Sequence, residues 1–367
     1  MLKPKNQIHQ KDVNNNKINA KEKKQAKNKN LPNVSKKVES LVKIFSNIKN
    51  PSEREVVKKV IEICLLLKKH KAQPVLIGGF VRDLILYKFG LKKEISFKDI
   101  DLEIFNITPQ QVEEVLTKNT DDSLGLVGKS FGVYKLEPGI DIALPRKESK
   151  KGVGHKDFAT SFFPNLSIEE ASSRRDFTCN AIAIDPFSGE ILDAQGGVND
   201  ILNKTLRCVD ARKFADDPLR VLRAMRFAAV LKFRVDEKTK NLCQNIDLSN
   251  ISNSRIGEEW IKMLLQADQP SYGLRVAKEL KILEKLHPEI YNLIGLAQWK
   301  KYHPEGDVFE HTLQALDQAK NICQREKISK EHQIIILLSV LCHDFGKATT
   351  TKIEGEKITS YGHTQAS

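Results

Sequence analysis

The stretch from residue 74 to residue 105 constrains the fold of this chain more than any other. It begins with a short apolar run that stops at Gly78 and Gly79, a pattern that predicts a buried strand ending in a tight turn. The spacing of apolar residues then predicts a helix over residues 80–89. A glycine turn that leads into a helix N-terminus offers backbone N–H groups to an anion such as phosphate.

Two aspartates follow this predicted helix in a segment where polar and apolar residues alternate. Asp99, Asp101 and Glu103 occupy every second position, and residues i and i+2 of a strand share one face. Two carboxylates on one strand face can hold one or two Mg²⁺ ions against a triphosphate. The same pattern also fits a solvated strand edge, and a Gly-Gly pair before a helix is often only a turn. Neither half of the stretch is decisive alone.

Composition and charge limit the function classes. The chain has 367 residues, a formal charge of +13 at pH 7 and a pI near 9.3, which favours a polyanionic partner. No apolar run approaches the length of a membrane span, so we expect no membrane association. The six cysteines form no C-x-x-C pair, which argues against a disulfide framework and a cysteine zinc site. Free thiols indicate a reducing compartment, and we expect a cytoplasmic location.

The N-terminal part of the chain divides into a tail and a helical lead-in. Residues 1–35 are rich in Lys and Asn and poor in large apolar side chains, which predicts a disordered basic tail, with a loose RNA-attracting arm as the alternative. In the lead-in, residues 36–72, Ser52 with Glu55 predicts a capping box at the start of a helix. Thr108 is the predicted cap of a later helix.

A third candidate carboxylate lies between residues 126 and 145. Two strand-like segments, residues 126–136 and 139–145, are separated by the turn Glu137-Pro138-Gly139, and Asp141 lies at the centre of the second. Asp141 can join Asp99 and Asp101 as a third acid, although an isolated strand aspartate is commonly a surface residue. The polar run over residues 146–158 predicts a mobile loop.

Residues 172–185, S-S-R-R-D-F-T-C-N-A-I-A-I-D, place three charged residues against an apolar strand-like segment. Arg175 can donate hydrogen bonds to ribose or phosphate oxygens, and Asp176 can accept one from a ribose hydroxyl. The alternative is a structural pair of arginine and aspartate. These two residues are therefore candidates for nucleotide recognition.

Residues 214–230 begin with a strong helix start, in which Asp217 is the predicted cap and Pro218 the first helical residue. Arg220, Arg223 and Arg226 recur every three residues and share one sector of the helix. Cytosine and adenine both present an exocyclic amine beside an unprotonated ring nitrogen. A carboxylate at Asp217 that accepts from the amine, beside a guanidinium at Arg220 that donates to the ring nitrogen, would select C and A over U and G. A basic stripe facing solvent is the alternative.

In combination these motifs resemble the tRNA nucleotidyltransferase and poly(A) polymerase family. The resemblance rests on G-G-x-x-R-D followed by D-x-D, on R-R-D-F-T-x-N-A-I-A and on D-D-x-x-R, where Asp216 stands at a position at which glutamate is common. It implies an α+β fold: a polymerase-β-like nucleotidyltransferase head with a mixed sheet and helices, then an all-α neck and body. A further R-I-x-x-E segment, Arg255 to Glu259, implies a structural brace for the neck.

The implied activity is template-independent addition of C and A to the 3′ end of tRNA from CTP and ATP, with release of pyrophosphate. Poly(A) polymerase, addition of CC or A only, and an idle RNA-binding protein remain alternatives. The resemblance implies that Asp99 and Asp101 hold Mg²⁺, with Asp141 as third acid; one ion would activate the 3′-hydroxyl and another neutralise the triphosphate. The implied nucleotide-binding residues are Gly78, Gly79, Arg82, Asp83, Arg175, Asp176, Asn180, Asp217, Arg220, Arg223 and Arg226.

Residues 303–363 contain H-P-E-G-D-V-F-E-H-T, L-C-H-D-F-G-K and Y-G-H, and they resemble an HD-type metal phosphohydrolase domain. The implied ligands of a second divalent ion are His311, His343 and Asp344. No aspartate follows Asp344, although the HD family places its last ligand on a later helix. We therefore expect an incomplete metal site, in a fragment or in a domain that has lost its chemistry. An HD phosphohydrolase as principal function is correspondingly disfavoured.

The predicted organisation is then a tail, a lead-in, a head over residues 73–208, an all-α neck and body over 209–297 and a partial all-α HD-like domain over 298–367.

Overall fold

The computed structural model of the chain describes residues 38–119, 133–136, 139–150, 158–355 and 357–367. The basic tail predicted at residues 1–35 lies outside these ranges. So do residues 126–132 of the first strand-like segment and residues 151–157 of the predicted loop. Residues 146–150 of that loop instead form a strand paired with residues 158–162, so the loop prediction is wrong there.

The strands are short, and most of them belong to the head. In chain order they are β1 (Gln73–Ile77), β2 (Ile100–Phe105), β3 (Val133–Leu136), β4 (Ile140–Ala143), β5 (Arg146–Lys150), β6 (Phe158–Phe162), β7 (Ala183–Ile184), β8 (Ile191–Leu192), β9 (Thr205–Leu206), β10 (Arg234–Val235), β11 (Lys352–Glu354) and β12 (Lys357–Thr359).

Helices surround the sheet and make up most of the remaining chain. They are α1 (Leu41–Phe45), α2 (Pro51–Lys69), α3 (Gly78–Lys88), α4 (Pro109–Asn119), α5 (Ile168–Ser172), α6 (Gly197–Leu202), α7 (Ala211–Ala215), α8 (Leu219–Leu231), α9 (Glu237–Asn245), α10 (Asn253–Gln266), α11 (Pro270–Glu279), α12 (Ile282–Leu286), α13 (Pro288–Tyr291), α14 (Val308–Arg325), α15 (Lys330–Cys342), α16 (Lys347–Thr350) and α17 (His363–Ala366). Among the described residues, no helix has both the length and the apolar content that crossing a membrane requires.

A six-stranded mixed sheet forms the centre of the head, in the order β3-β4-β2-β1-β7-β8. Only β2 and β4 run parallel to each other, and the other neighbours are antiparallel. Since β2 lies between β1 and β4, its acidic residues are on an internal strand. The alternative of a solvated strand edge is therefore wrong for Asp101, whereas Asp99 precedes the strand and is exposed.

The N-termini of α2 and α4 can be compared with the predicted caps at Ser52 and Thr108. The side chain of Asn50 accepts from the backbone N–H groups of Ser52 at 3.0 Å and Glu53 at 3.5 Å, so α2 begins at Pro51 and the predicted capping box at Ser52 is wrong. The reason is that Pro51, which has no N–H to satisfy, suits the first helical position and moves the start upstream. Thr108 caps α4 as predicted, because its Oγ1 accepts from the backbone N–H of Gln111 at 3.3 Å.

Aromatic contacts join the head to the helices that follow. The ring of Phe177, in the head, lies 5.6 Å from that of Phe214 and 5.7 Å from that of Phe227, on α8. Edge-to-face pairs of this kind add stability beyond the area that they bury. In addition, β10 pairs with β9 in parallel, across the boundary predicted at residue 208. Helix α8 therefore has a fixed position relative to the sheet.

Helix α14 contacts the end of α10 and the start of α11. The carboxylate of Asp317 accepts from the backbone N–H of Ser271 at 3.0 Å, at the start of α11. The buried ammonium of Lys320 donates to the carbonyls of Leu264 at 3.1 Å and Leu265 at 2.7 Å, near the end of α10. An anion at a helix N-terminus and a cation at a C-terminus both complement the helix dipole.

The predicted α+β architecture, a mixed-sheet head followed by helical material, is confirmed. The C-terminal segment departs from an all-α expectation in one respect, because β11 and β12 form an antiparallel pair there.

Candidate active site

Three aspartates meet at one face of the head sheet. Asp101 of β2 pairs in register with Asp141 of the parallel strand β4, and Asp99 directly precedes β2. Residues directly opposite each other on neighbouring strands lie on the same face of a sheet. All three aspartates line a cleft of about 770 Å³, together with Lys98 and Lys135. The structure thus brings the predicted third carboxylate next to the first two.

The cleft carries negative charge that is only partly compensated. Burial raises the pKa of Asp101 to about 6; the carboxylates of Asp141 and Asp99 add to this rise, while Arg175 and Lys135 oppose it. The ammonium of Lys135 lies 3.1 Å from Asp141 Oδ2. A cation placed near these carboxylates would favour their ionised forms, so the cleft suits a positively charged ligand.

Position 78 has to be a glycine because the turn passes very close to the aspartate cluster. Its φ of +77° lies in the left-handed region, and a Cβ at this position would lie 2.5 Å from Asp101 Oδ2. Any larger residue would therefore strain the backbone and displace the aspartate. Helix α3 begins at Gly78 itself, two residues before the predicted start.

Five of the predicted nucleotide-binding residues form one hydrogen-bonded network. The guanidinium of Arg82 donates to Asp83 Oδ1 at 2.8 Å and to Asn180 Oδ1 at 2.9 Å. Asn180 donates in turn to Asp176 Oδ1 at 3.1 Å, and Arg223 donates to Asp176 Oδ2 through Nε at 2.8 Å and Nη2 at 2.6 Å. Burial would raise the pKa of Asp176, but Arg223 and the hydrogen-bond donors keep it below its ordinary value. The network joins α3 to α8 through the turn at residues 178–180.

The predicted base-selecting pair is anchored by other parts of the chain. Asp217 accepts from the backbone N–H of Leu219 at 3.2 Å, and the guanidinium of Arg255 lies 3.2 and 3.3 Å from its two oxygens. Arg220 donates to the carbonyl of Lys213 at 2.7 Å and to that of Arg174 at 2.8 Å. Helix α8 begins at Leu219, one residue later than predicted, and leaves Asp217 in the turn before it.

The three arginines of α8 do not form a basic stripe facing solvent, so that alternative is wrong. Arg226 is 8% exposed, and its Nε donates to Glu259 Oε2 at 2.6 Å. Its guanidinium lies 4.1 Å from the ring centre of Phe227, while that of Arg223 lies 5.2 Å away. The contact of Arg226 with the buried Glu259 braces α8 against α10, and its predicted role toward a nucleotide stays a prediction.

Sequence reasoning missed one acidic residue beside this site. Glu103 is 2% exposed; its Oε1 accepts from Arg174 at 2.7 Å, and its Oε2 lies 3.5 Å from Arg175. The available signal was its position two residues after Asp101 in an alternating strand, together with a pair of arginines later in the chain.

A second cluster of potential ligands lies in the C-terminal segment. His343 Nε2 is 3.2 Å and His311 Nε2 is 3.8 Å from Asp344 Oδ2, while His363 Nε2 is 3.6 Å from Asp344 Oδ1. Asp344 is 1% exposed, and within the described ranges its Oδ2 accepts no well-formed hydrogen bond, although Lys347 Nζ is 2.8 Å away. The structure thus brings the three predicted ligands together and adds His363.

The histidines of this cluster are oriented by their other ring nitrogens. Nδ1 of His311 lies 2.6 Å from Glu305 Oε1, and Nδ1 of His343 and of His363 each lie 2.7 Å from a backbone carbonyl. A histidine whose Nδ1–H donates to such an acceptor presents the lone pair of Nε2, the arrangement typical of metal ligands. Among the described residues, two groups of three bring ligand atoms within 4.8 Å of one another: His311 with His343 and Asp344, and His303 with Glu305 and His311.

Two family models match two separate parts of the chain. Residues 75–207 match the model described as the poly A polymerase head domain. Residues 232–293 match the model described as a probable RNA and SrmB-binding site of polymerase A.

Curated relatives match most of the chain. The multifunctional CCA protein of Pasteurella multocida is 37% identical over 286 residues, which are 76% of this chain and 63% of that protein. The multifunctional CCA protein of Vibrio vulnificus (strain CMCP6) is 36% identical over 298 residues, which are 79% of this chain and 67% of that protein. The chain thus spans less than two thirds of the length of the Pasteurella relative.

Solved structures share the fold. The Thermotoga maritima CCA-adding enzyme complexed with tRNA_CCA has a TM-score of 0.58 at 21% identity, over 83% of this chain and 65% of that one. A CCA-adding enzyme with ATP has a TM-score of 0.57 at 22% identity, over 83% and 64%. The fold and the curated relatives agree with the motifs of the head and neck: the chain belongs to the tRNA nucleotidyltransferase and poly(A) polymerase family that includes the multifunctional CCA proteins.

Proposed function

We propose that this chain adds C and A nucleotides to the 3′ end of tRNA from CTP and ATP, without a nucleic-acid template. The observation that supports the proposal is the cleft lined by three aspartates, the acid cleft. In it, Asp101 and Asp141 are in register on the parallel strands β2 and β4, and Gly78 lies next to Asp101. The names of the relatives, multifunctional CCA protein and CCA-adding enzyme with tRNA_CCA, support the choice of tRNA and of these two nucleotides. Six free thiols support a cytoplasmic location.

The reaction would be in-line attack of the tRNA 3′-hydroxyl on the α-phosphate of the nucleotide, with pyrophosphate as leaving group and no covalent protein intermediate. Proteins of this family generally use divalent metal ions. Asp99 and Asp101, with Asp141, would hold Mg²⁺ here, because an all-oxygen ligand set with incompletely balanced negative charge suits a hard cation. The bound ion would supply charge neutralisation at the triphosphate and the attacking oxygen.

Residues of the neck would recognise the base of the incoming nucleotide. Arg220 uses two of its N–H donors on main-chain carbonyls, so about three of its five donors stay available for a base edge. Asp217 would accept from the exocyclic amine of cytosine or adenine, while Arg255 fixes its carboxylate. Arg175 would contact the ribose or phosphates beside Asp101. Held by rigid elements, these groups would place the α-phosphate against the acid cleft.

The test is nucleotide addition to a tRNA that lacks its terminal CCA, with each labelled nucleotide triphosphate alone and in mixtures. We expect two C residues followed by one A, and no product from UTP or GTP. Long A tails would identify a poly(A) polymerase, and products that stop after CC, or that contain only A, would identify a partial activity. Asp101→Asn is the matched negative control, since it keeps the size of the side chain and removes its charge.

We also propose a second divalent-ion site at His311, His343 and Asp344. It is favoured by the buried Asp344 Oδ2, which faces two imidazole nitrogens. Mixed nitrogen and oxygen ligands suit a transition-metal ion better than Mg²⁺. Calorimetric titration with Mn²⁺ should show binding that is lost in His343→Ala and kept in His332→Ala, a change at an exposed histidine outside the cluster.

A further inference from the structure

Glu103 is the second acidic residue on β2, two positions after the candidate catalytic Asp101. Because side chains alternate along β2, Glu103 faces the same side as Asp101. Unlike Asp101 it is almost fully buried, with 2% of its surface exposed. An ionised carboxylate in such a place is costly to fold unless charged donors surround it. The residues that contact Glu103 must therefore compensate its charge.

Both oxygens of Glu103 face arginines from the motif at residues 172–185. Arg174 Nη2 donates to Oε1 at 2.7 Å, and Arg175 Nη2 lies 3.5 Å from Oε2. These two guanidiniums stay positively charged, and together they compensate the charge of one buried carboxylate. One carboxylate thus fixes two successive arginines, which lie more than seventy residues away in the sequence.

Each of these arginines leads to a different part of the nucleotide site. The main-chain carbonyl of Arg174 accepts from Arg220 Nη2 at 2.8 Å, so the position of Arg174 sets that of the base-selecting guanidinium. Arg175 has its guanidinium on the same carboxylate, at a position two residues along β2 from Asp101. A continuous series of contacts therefore runs from the catalytic strand, through Glu103 and Arg174, to Arg220.

We propose that Glu103 is a positioning residue that sets the distance and orientation of the nucleotide-recognition arginines relative to the catalytic strand. This inference rests on the proposed function and adds a residue to it. Charge-assisted hydrogen bonds are short and directional, so Glu103 fixes the position of the Arg174 guanidinium through its Nη2. Without Glu103, no shared contact would hold Arg175 and Arg220 at a fixed distance from Asp101.

The test compares two neutralised buried acids. Glu103→Gln keeps the shape and removes the charge. Asp200→Asn is the matched control, because Asp200 is 5% exposed and accepts from Arg207 at 2.7 Å. Calorimetry in Mg²⁺ without tRNA, so that no turnover occurs, gives the Kd for each of the four nucleotides, and thermal unfolding is measured in parallel.

We expect Glu103→Gln to weaken CTP and ATP binding about tenfold or more, as is typical when a hydrogen bond between charged groups is lost, and UTP and GTP binding less. Asp200→Asn should lower thermal stability to a similar degree and leave all four Kd values within about twofold of wild type. Equal Kd values and equal base preference in Glu103→Gln and wild type would overturn the proposal and leave Glu103 as a structural ion pair.

Arg174→Lys provides the same comparison if Glu103→Gln does not fold. It keeps a positive charge next to Glu103 and loses the forked donor geometry, so the same loss of CTP and ATP affinity is expected, and unchanged affinity would overturn the proposal. Binding without tRNA also separates this inference from the proposed function. If wild-type protein fails to extend tRNA but Glu103→Gln still loses CTP and ATP affinity, the role of Glu103 stands and only the assigned reaction is wrong.

Discussion

Replacing Asp101 by asparagine should stabilise the metal-free protein at pH 8, although it removes an acid on which the proposed activity depends. Burial raises the pKa of Asp101 from 3.8 to about 6, and the carboxylates of Asp141 and Asp99 add to the rise. The folded state therefore binds this proton more tightly than the unfolded state. The associated stability is fully present below pH 3.8 and is lost as the pH rises through 6.

The size of the effect follows from that difference. About two pH units, at about 1.4 kcal/mol each, correspond to about 3 kcal/mol of unfolding free energy. The cleft is open to water, which screens part of the interaction, so the expected gain in Asp101→Asn at pH 8 is about 1–3 kcal/mol. At pH 4.5 the aspartate of the folded state is already protonated, and the gain should fall to about 1 kcal/mol or less.

Urea unfolding in EDTA, at pH 8 and at pH 4.5, measures the gain directly. Added Mg²⁺ should stabilise wild type and have little effect on Asp101→Asn, because only a ligand that binds the folded state shifts the equilibrium. Glu103→Gln is the matched comparison on the same strand. The pKa of Glu103 lies below its ordinary value, so its ionised form stabilises the fold above the unfolded pKa, and neutralising it should destabilise the protein at pH 8.

Two results would refute this reasoning. One is an Asp101→Asn protein that is less stable than wild type in EDTA at pH 8. The other is a gain that is equally large at pH 4.5, which would indicate a packing effect instead of an electrostatic one.

Three further predictions concern the two sites. Asp99→Ala or Asp101→Ala should reduce nucleotide addition to less than a few per cent of wild type. The tRNA affinity, measured by filter binding, should hardly change, because Lys and Arg contacts with phosphates dominate RNA affinity. A variant that keeps more activity in Mg²⁺ would contradict the metal assignment. Asp217→Ala and Arg220→Ala should lower kcat/KM for CTP and ATP about ten- to hundredfold more than for UTP and GTP, because a bidentate base contact is worth about 1–3 kcal/mol. Equal slowing with all four nucleotides would assign both residues to support of the helix. We expect poor phosphoester hydrolysis at the C-terminal cluster, so robust turnover with Ni²⁺ or Mn²⁺ that disappears in His343→Ala would show the opposite.

Local sequence patterns were sufficient for the motifs and most of the elements. The glycine turn, the D-x-D strand and the helix that contains Arg220 were predicted because each depends on residues a few positions apart. Errors occurred at boundaries where two local signals compete. Asn50 caps α2 although Ser52 and Glu55 match a capping box, and Pro51 decides between them.

By itself, the sequence determined which side chains are available and which of them share a strand or helix, because period and spacing are local properties. Only the tertiary structure decided which distant groups meet: Asp101 with Asp141 across β2 and β4, Glu103 with Arg174, and Arg226 with Glu259. Such pairs depend on strand order and helix packing, which no short window of sequence contains. An acid that reads as one more exposed charge in the sequence, Glu103, is therefore buried in the structure, where its charge can be compensated only by arginines brought there by the fold.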